Sequence, residues 1–144
     1  MVEYSVYGKG NGQVIIFING AGVGSWMWQN QLSYFSKFKC ITFDLPGHGD
    51  NSHIEFTTIE SCCIDVQEII LKESNSKKAI LIGLSIGAQI VLNMLENYYT
   101  VLEKCIIISA LNKPMKVVNT LLKSMVECFI PFVKMKSFAK MQAK

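Results

Sequence analysis

No arginine occurs in this chain; all fourteen basic residues are lysine. Without a guanidinium there is no planar fork for bidentate recognition of phosphates or base edges, so the formal net charge of +3 does not imply a nucleic-acid partner. Histidine is scarce as well, with only His48 and His53, and the eleven acids are scattered along the chain. That combination disfavours a metal centre, and no cofactor is expected. There is no apolar run of the ~20 residues a membrane-spanning helix needs, and no transmembrane segment is expected. The opening residues Met1 to Ser5 lack the basic region and apolar stretch of a secretory signal, which makes the cytoplasm the expected compartment. Cysteine is present five times, an odd number, with no Cys-x-x-Cys pair. Cys40, Cys62, Cys63, Cys105 and Cys128 fall mostly in apolar segments and read as buried thiols.

What is present points to a packed domain. Half of the residues are hydrophobic and 17% are charged, a balance that supports a core rather than disorder. Val14 to Ile18, Lys39 to Phe43, Ala79 to Ile82 and Cys105 to Ile108 are short apolar runs without alternation, as expected of strands covered on both faces. Val2 to Tyr7 reads as an edge strand ahead of the glycine-rich turn Gly8 to Gly12. Between the buried runs lie helical patterns. Trp26 to Phe38 carries Trp28, Leu32 and Phe35 on one face. A helix capped by Thr57 or Thr58 has an apolar face of Ile59, Cys62, Cys63, Val66, Ile69 and Ile70. Gly87 to Tyr98 has Ile90, Val91, Met94 and Leu95 as its inner face. Strands alternating with helices predict an α/β fold, a doubly wound and mostly parallel sheet with right-handed crossovers.

After Asn112 the character changes. Residues 112–144 hold seven lysines and one acid, whereas the first 111 hold seven lysines and ten acids. Val117, Leu121, Leu122 and Met125 predict a helix with a broad apolar face, Pro131 interrupts it, and no strand pattern follows. Residues 1–112 therefore read as a core, and 113–144 as either a helical cover laid over it or a membrane-surface element, the cover being favoured.

Chemistry gathers at Gly83-Leu-Ser-Ile-Gly87, a turn between an apolar strand and a helix. Such a turn holds the Ser85 hydroxyl above the sheet edge, and Gly83 and Gly87 remove the Cβ atoms that would collide where strand and helix pass. The Ile86 N–H, at the helix N-terminus, is placed to stabilise negative charge developing on a carbonyl oxygen. A second N–H is expected from Asn19-Gly20-Ala21-Gly22, with Ala21 the first candidate and Gly22 the alternative. His48, in Pro46-Gly-His-Gly49, reads as a loop-holding residue rather than a base, and Asp44 belongs to the same loop. His53 lies in a polar connector and reads as exposed. The loop Gly20-x-Gly-x-Gly24 has neither the Gly-x-G-x-x-Gly spacing nor a Gly-Lys-Ser/Thr, which argues against nucleotide binding.

Taken in order, Asn19 to Trp28, Asp44 to Ser52 and Gly83 to Gly87 resemble the alpha/beta-hydrolase superfamily, in particular its esterase-like members with a helical cap. The first motif usually begins His-Gly and here begins Asn19-Gly20, a change that leaves a backbone donor at Ala21 untouched. Trp28 matches the aromatic that follows this loop, and His48 matches a structural histidine. The resemblance implies a serine hydrolase in which Ser85 attacks an ester-like carbonyl and forms an acyl-enzyme. A serine rather than an aspartate nucleophile argues against haloalkane and epoxide chemistry. The apolar segment from Met115 implies an apolar acyl substrate. In this superfamily the acid and the catalytic histidine follow the cap, in the order serine, acid, histidine. The chain therefore resembles the N-terminal portion of such an enzyme, incompetent alone, with an apolar sheet edge open to self-association or to a complementary C-terminal chain. The alternatives are one piece of a split hydrolase and a non-catalytic module that binds a ligand or protein.

Overall fold

A computed structural model describes residues 1–10 and 12–110. Five strands form one sheet: β1 (Tyr4–Tyr7), β2 (Val14–Ile18), β3 (Lys39–Phe43), β4 (Ala79–Leu84) and β5 (Leu102–Ile108), in the spatial order β1-β3-β2-β4-β5. The last four run parallel, and β1 lies antiparallel to β3 at one edge. The helices are α1 (Gln29–Tyr34), α2 (Ile59–Glu73) and α3 (Ile86–Asn97).

Strand alternation divides the core into two layers. Val14, Ile16, Ile18, Ile41, Phe43 and Leu81 face one side, where Cys62, Val66, Ile69 and Ile70 of α2 and Ile90, Val91 and Met94 of α3 pack on them. Ile15, Phe17, Cys40 and Ile82 face the other side, beneath Trp28, Leu32 and Phe35. Every residue of β2 is buried because both its faces and both its edges are covered. The sheet is doubly wound, as the sequence pattern implied. Each fully buried aliphatic side chain in these layers contributes roughly 1.5–3 kcal/mol of transfer free energy.

Local signals held well at α2. Thr58 accepts a hydrogen bond from the Ser61 N–H while the Ser61 side chain reaches back to the Thr58 N–H, a reciprocal cap that satisfies two otherwise orphaned donors. Three expectations need correction. The helix expected over Trp26 to Phe38 is broken into a 3-10 turn at Ser25–Trp28 and the six-residue α1, which ends as the Phe35 N–H bonds back to Gln31. The aromatic face survives the break, since Trp28 and Phe35 both pack on Phe17, at ring-centroid distances of 5.3 and 6.3 Å. Leu95 is not on the inner face of α3 but 41% exposed, because the buried stripe of that helix is set by Ile90, Val91 and Met94.

The third correction concerns β5, expected to be fully buried. Ile106, Ile107 and Ile108 are 49, 39 and 37% exposed. Among the described residues β5 pairs only with β4, so its other edge and much of its surface meet no neighbour.

Cys40, Cys62 and Cys63 are buried free thiols and Cys105 is half-buried. Burial, reinforced by the Asp65 charge, pushes the Cys62 thiol up to about 11, and burial together with Glu60 pushes Cys63 up to about 12. Neither is a thiolate near neutral pH. No helix among the described residues is long and apolar enough to cross a membrane. The segment 113–144, its boundary at residue 112 and Cys128 lie outside the described residues.

Candidate active site

In an open α/β sheet, the loops at the carboxyl ends of the strands meet where the strand order reverses. Here that place lies beyond β2, whose neighbours β3 and β4 are reached in opposite directions. Three loops converge on it: residues 19–25 after β2, 44–52 after β3, and the turn at Ser85 after β4.

Ser85 links β4 directly to α3. Its backbone adopts φ 55 and ψ −111, a positive φ that side-chain-bearing residues rarely accept. Two features hold it there. Its N–H donates to the Ile108 carbonyl at the end of β5, at 2.9 Å, and its carbonyl accepts from the Gln89 N–H as α3 begins, at 3.1 Å. The crossing is tight enough to require glycine on both sides. A Cβ on Gly87 would collide with the Ile18 carbonyl oxygen and approach that of Asn19 to 2.8 Å, and a Cβ on Gly83 would collide with the Gly87 carbonyl. Strained residues of this kind persist only where the surroundings over-determine them, which is the case for a turn pinned at both ends. The Ser85 hydroxyl, half-buried, has no hydrogen-bond partner among the described residues. Ile86, the first residue of α3, places its N–H at the positive end of the helix dipole.

The β2 loop rests against this turn. A Cβ built on Gly20 would lie 3.5 Å from the Ser85 Cβ, an ordinary contact. Asn19 is fully buried, and its amide nitrogen donates to the carbonyls of Gly20 (3.2 Å) and Val23 (2.5 Å), closing the loop from within. Gly22, at φ 76, supplies the left-handed residue that the turn needs. Its N–H donates to His48 Nε2 at 3.0 Å. Ala21 is exposed, and none of the described hydrogen bonds uses its N–H. Trp28 anchors the far end of the loop by packing its ring, tilted, against Phe17.

His48 is thereby accounted for. A backbone N–H has only a proton to offer, so Nε2 is the unprotonated acceptor and the ring proton sits on Nδ1, donated to the Pro46 carbonyl 3.0 Å away. A ring with its lone pair and its proton both committed to backbone is not free to deprotonate a serine. Asp44 works beside it: one carboxylate oxygen accepts from the Ser25 N–H at 2.6 Å and the other from the Asp50 N–H at 2.9 Å. The β3 loop thus grips the β2 loop at two points, Gly22 and Ser25. His53 is exposed and makes none of the described contacts with Ser85.

Sequence reading passed over Asn51. It is fully buried, donates to the carbonyls of Glu3 (2.9 Å) and Asp44 (2.6 Å), and accepts from the Glu3 N–H (2.9 Å), lashing the start of β1 to the β3 loop. Its only local signal is a small amide in a glycine-rich turn. Ser109 is the other omission: at φ 54 it is a second left-handed serine, immediately after the Ile108 carbonyl that holds the Ser85 N–H.

Among the described residues, two clefts open elsewhere. One of about 220 Å³ lies at the opposite end of the strands, between the Gly8–Gly12 turn, Lys39 and Glu73. A smaller one of about 90 Å³ lies between β1 and Asp44. Ser85 lines neither.

The arrangement has counterparts of known kind. The family model for the alpha/beta hydrolase fold matches residues 13–127. A pimeloyl-[acyl-carrier protein] methyl ester esterase from Wigglesworthia glossinidia brevipalpis is 37% identical over 103 residues, which are 70% of this chain and 38% of that protein. The 3-oxoadipate enol-lactonase 1 of Acinetobacter baylyi is 35% identical over 87 residues, 60% of this chain and 32% of that protein. Among solved structures, the enol-lactonase from Burkholderia xenovorans LB400 superposes with a TM-score of 0.62 at 27% identity, over 72% of this chain and 41% of that one. The chain spans 32 to 38% of the length of these two curated relatives. With its sheet order, its serine turn and a family match over most of its length, the chain belongs to the alpha/beta hydrolase fold family.

Proposed function

We propose that Ser85 is the nucleophile of a serine hydrolase that cleaves an ester-like substrate through an acyl-enzyme. The observation that carries this reading is the Ser85 turn itself: a serine held at positive φ between β4 and α3, with its hydroxyl unpartnered among the described residues. In the proposed reaction Ser85 Oγ attacks the substrate carbonyl, and the alkoxide that develops accepts hydrogen bonds from the N–H groups of Ile86 and Ala21. The tetrahedral intermediate then expels the alcohol, leaving an acyl group on Ser85 that water removes as the acid. Two donors aimed at that oxygen stabilise the transition state by several kcal/mol, since losing one typically costs about 3 kcal/mol.

The base and its orienting acid are not supplied by the described residues in this reading, because His48 is committed to Gly22 and Pro46. They come from other residues of the active protein, and residues 1–110 alone turn over poorly. The substrate class follows the relatives, whose names specify a methyl ester and an enol-lactone, both carboxylic esters. An apolar acyl group suits the segment from Met115. A fluorophosphonate probe should label the active protein at Ser85 and fail on Ser85→Ala; labelling that survives the substitution sinks the proposal.

A second reading, a split hydrolase completed by another chain, is favoured by one observation, the apolar exposure of β5 at Ile106 and Ile107. It predicts that the 144-residue chain elutes as a complex or self-associates. A cleanly monomeric, cooperatively folding species on size-exclusion chromatography counts against it.

A further inference from the structure

Accepting Ser85 as the nucleophile, we infer that His48 and Asn19 are positioning residues that aim the Ala21 N–H by holding the two peptide planes on either side of Ala21. A trans peptide is planar, so its N–H points opposite to its carbonyl. The Ala21 N–H shares its plane with the Gly20 carbonyl. Asn19, fully buried, holds that carbonyl with its amide nitrogen and so turns the Ala21 N–H the other way, out of the loop's interior. The next plane carries the Gly22 N–H, and His48 Nε2 holds it at 3.0 Å.

Both restraints are needed because of Gly22. A glycine at φ 76 has a wide range of alternative conformations open to it, and a loop that turns on one would otherwise spread over them. His48 removes that freedom at the residue next to Ala21. It also decides between the two candidate donors: the Gly22 N–H is consumed, and Ala21 is left to face substrate. The ring is itself held by the Pro46 carbonyl, and the loop it belongs to is fastened by Asp44 to Ser25, so the restraint is referred back to the sheet rather than to a mobile side chain.

The test compares His48→Phe, which keeps a ring but no acceptor, with His48→Gln, whose amide oxygen reaches the place of Nε2. Two readouts are taken on the active protein: kcat and KM for a simple aryl ester, and amide hydrogen exchange at Gly22. His48→Phe should lower kcat roughly 10²-fold, the scale of a 1 Å misplacement, with KM changed less than about twofold. Gly22 exchange should rise at least about tenfold, and His48→Gln should return both values most of the way. Unchanged Gly22 exchange in His48→Phe overturns the inference, as does a fall in kcat that tracks a lowered melting temperature and is not rescued by glutamine. If the wild type shows no Ser85-dependent turnover, the nucleophile reading fails, and the exchange result still decides the clamp.

Discussion

Two loops at neighbouring strand ends are built on opposite principles. In residues 44–52, nearly every polar group is spent: Asp44 accepts through both carboxylate oxygens and its carbonyl, His48 uses both ring nitrogens, and Asn51 uses its oxygen and, twice, its nitrogen. In the turn at Ser85 the backbone is fastened at both ends in a costly conformation, yet the side chain has no partner among the described residues. A loop whose Asp44, His48 and Asn51 side chains all bind backbone is scaffolding. A strained serine whose hydroxyl is left over is a candidate for chemistry, because the fold bears the cost of presenting it. The presence of a histidine near a serine therefore teaches little until the histidine's two nitrogens have been accounted for.

The contrast can be broken by substitutions that should fall on different observables. The largest effect belongs to Ser85→Ala, which should remove turnover by about 10⁶-fold in the active protein while leaving the far-ultraviolet circular dichroism unchanged. Comparable loss of fold would show the turn to be scaffolding after all. Gly87→Ala should instead act on stability, by roughly 3 kcal/mol in chemical denaturation, because its new methyl meets the backbone of Ile18 rather than a side chain that can yield. Asn51→Ala should cost about 2 kcal/mol, leaving the Glu3 and Asp44 backbone groups without their partner, with melting temperature as the measurement. Ser85→Gly should go the other way and stabilise the protein by about 1 kcal/mol, since glycine adopts positive φ without steric cost.

The smallest effect comes from the opposite end of the sheet, which serves as a control remote from both loops. Hydrogen bonds from Lys39 (2.6 Å) and Tyr4 (2.7 Å) hold the Glu73 carboxyl below the usual carboxylate range. A carboxylate with a lowered folded-state pKa adds stability that is fully present above its unfolded value and is lost as pH falls through the folded one. Glu73→Gln should flatten that acid-side loss by less than about 1 kcal/mol in pH-dependent denaturation, with no change at Ser85.

Much of this was readable along the chain. The unbroken apolar runs at Val14–Ile18 and Lys39–Phe43 became strands at those bounds, the face of α2 followed from i, i+3 and i+4 spacing, and of the two threonines able to cap it the structure uses Thr58. Burial at β5 was misread because a run of isoleucines describes what a strand would cover if neighbours were present, not whether they are. The break after Trp28 escaped because an aromatic stripe at helical spacing is compatible with a 3-10 turn as well as an α-helix. Asn51 escaped for another reason: Glu3, which it holds just ahead of β1, lies 48 positions away.

Short-range order thus sets what depends on neighbours a few residues apart: the alternation of strands and helices, the caps, and the Gly-x-Ser-x-Gly turn with its requirement for small flanking residues. Those follow from backbone sterics and hydrophobic period, which act locally. Which nitrogen His48 offers, which loop N–H it consumes, and whether the Ser85 hydroxyl is left uncommitted among the described residues were decided only when β2, β3 and β4 were brought side by side. Hydrogen-bond satisfaction is an accounting across strands, and residues 26 positions apart in the chain enter it only once the sheet has formed.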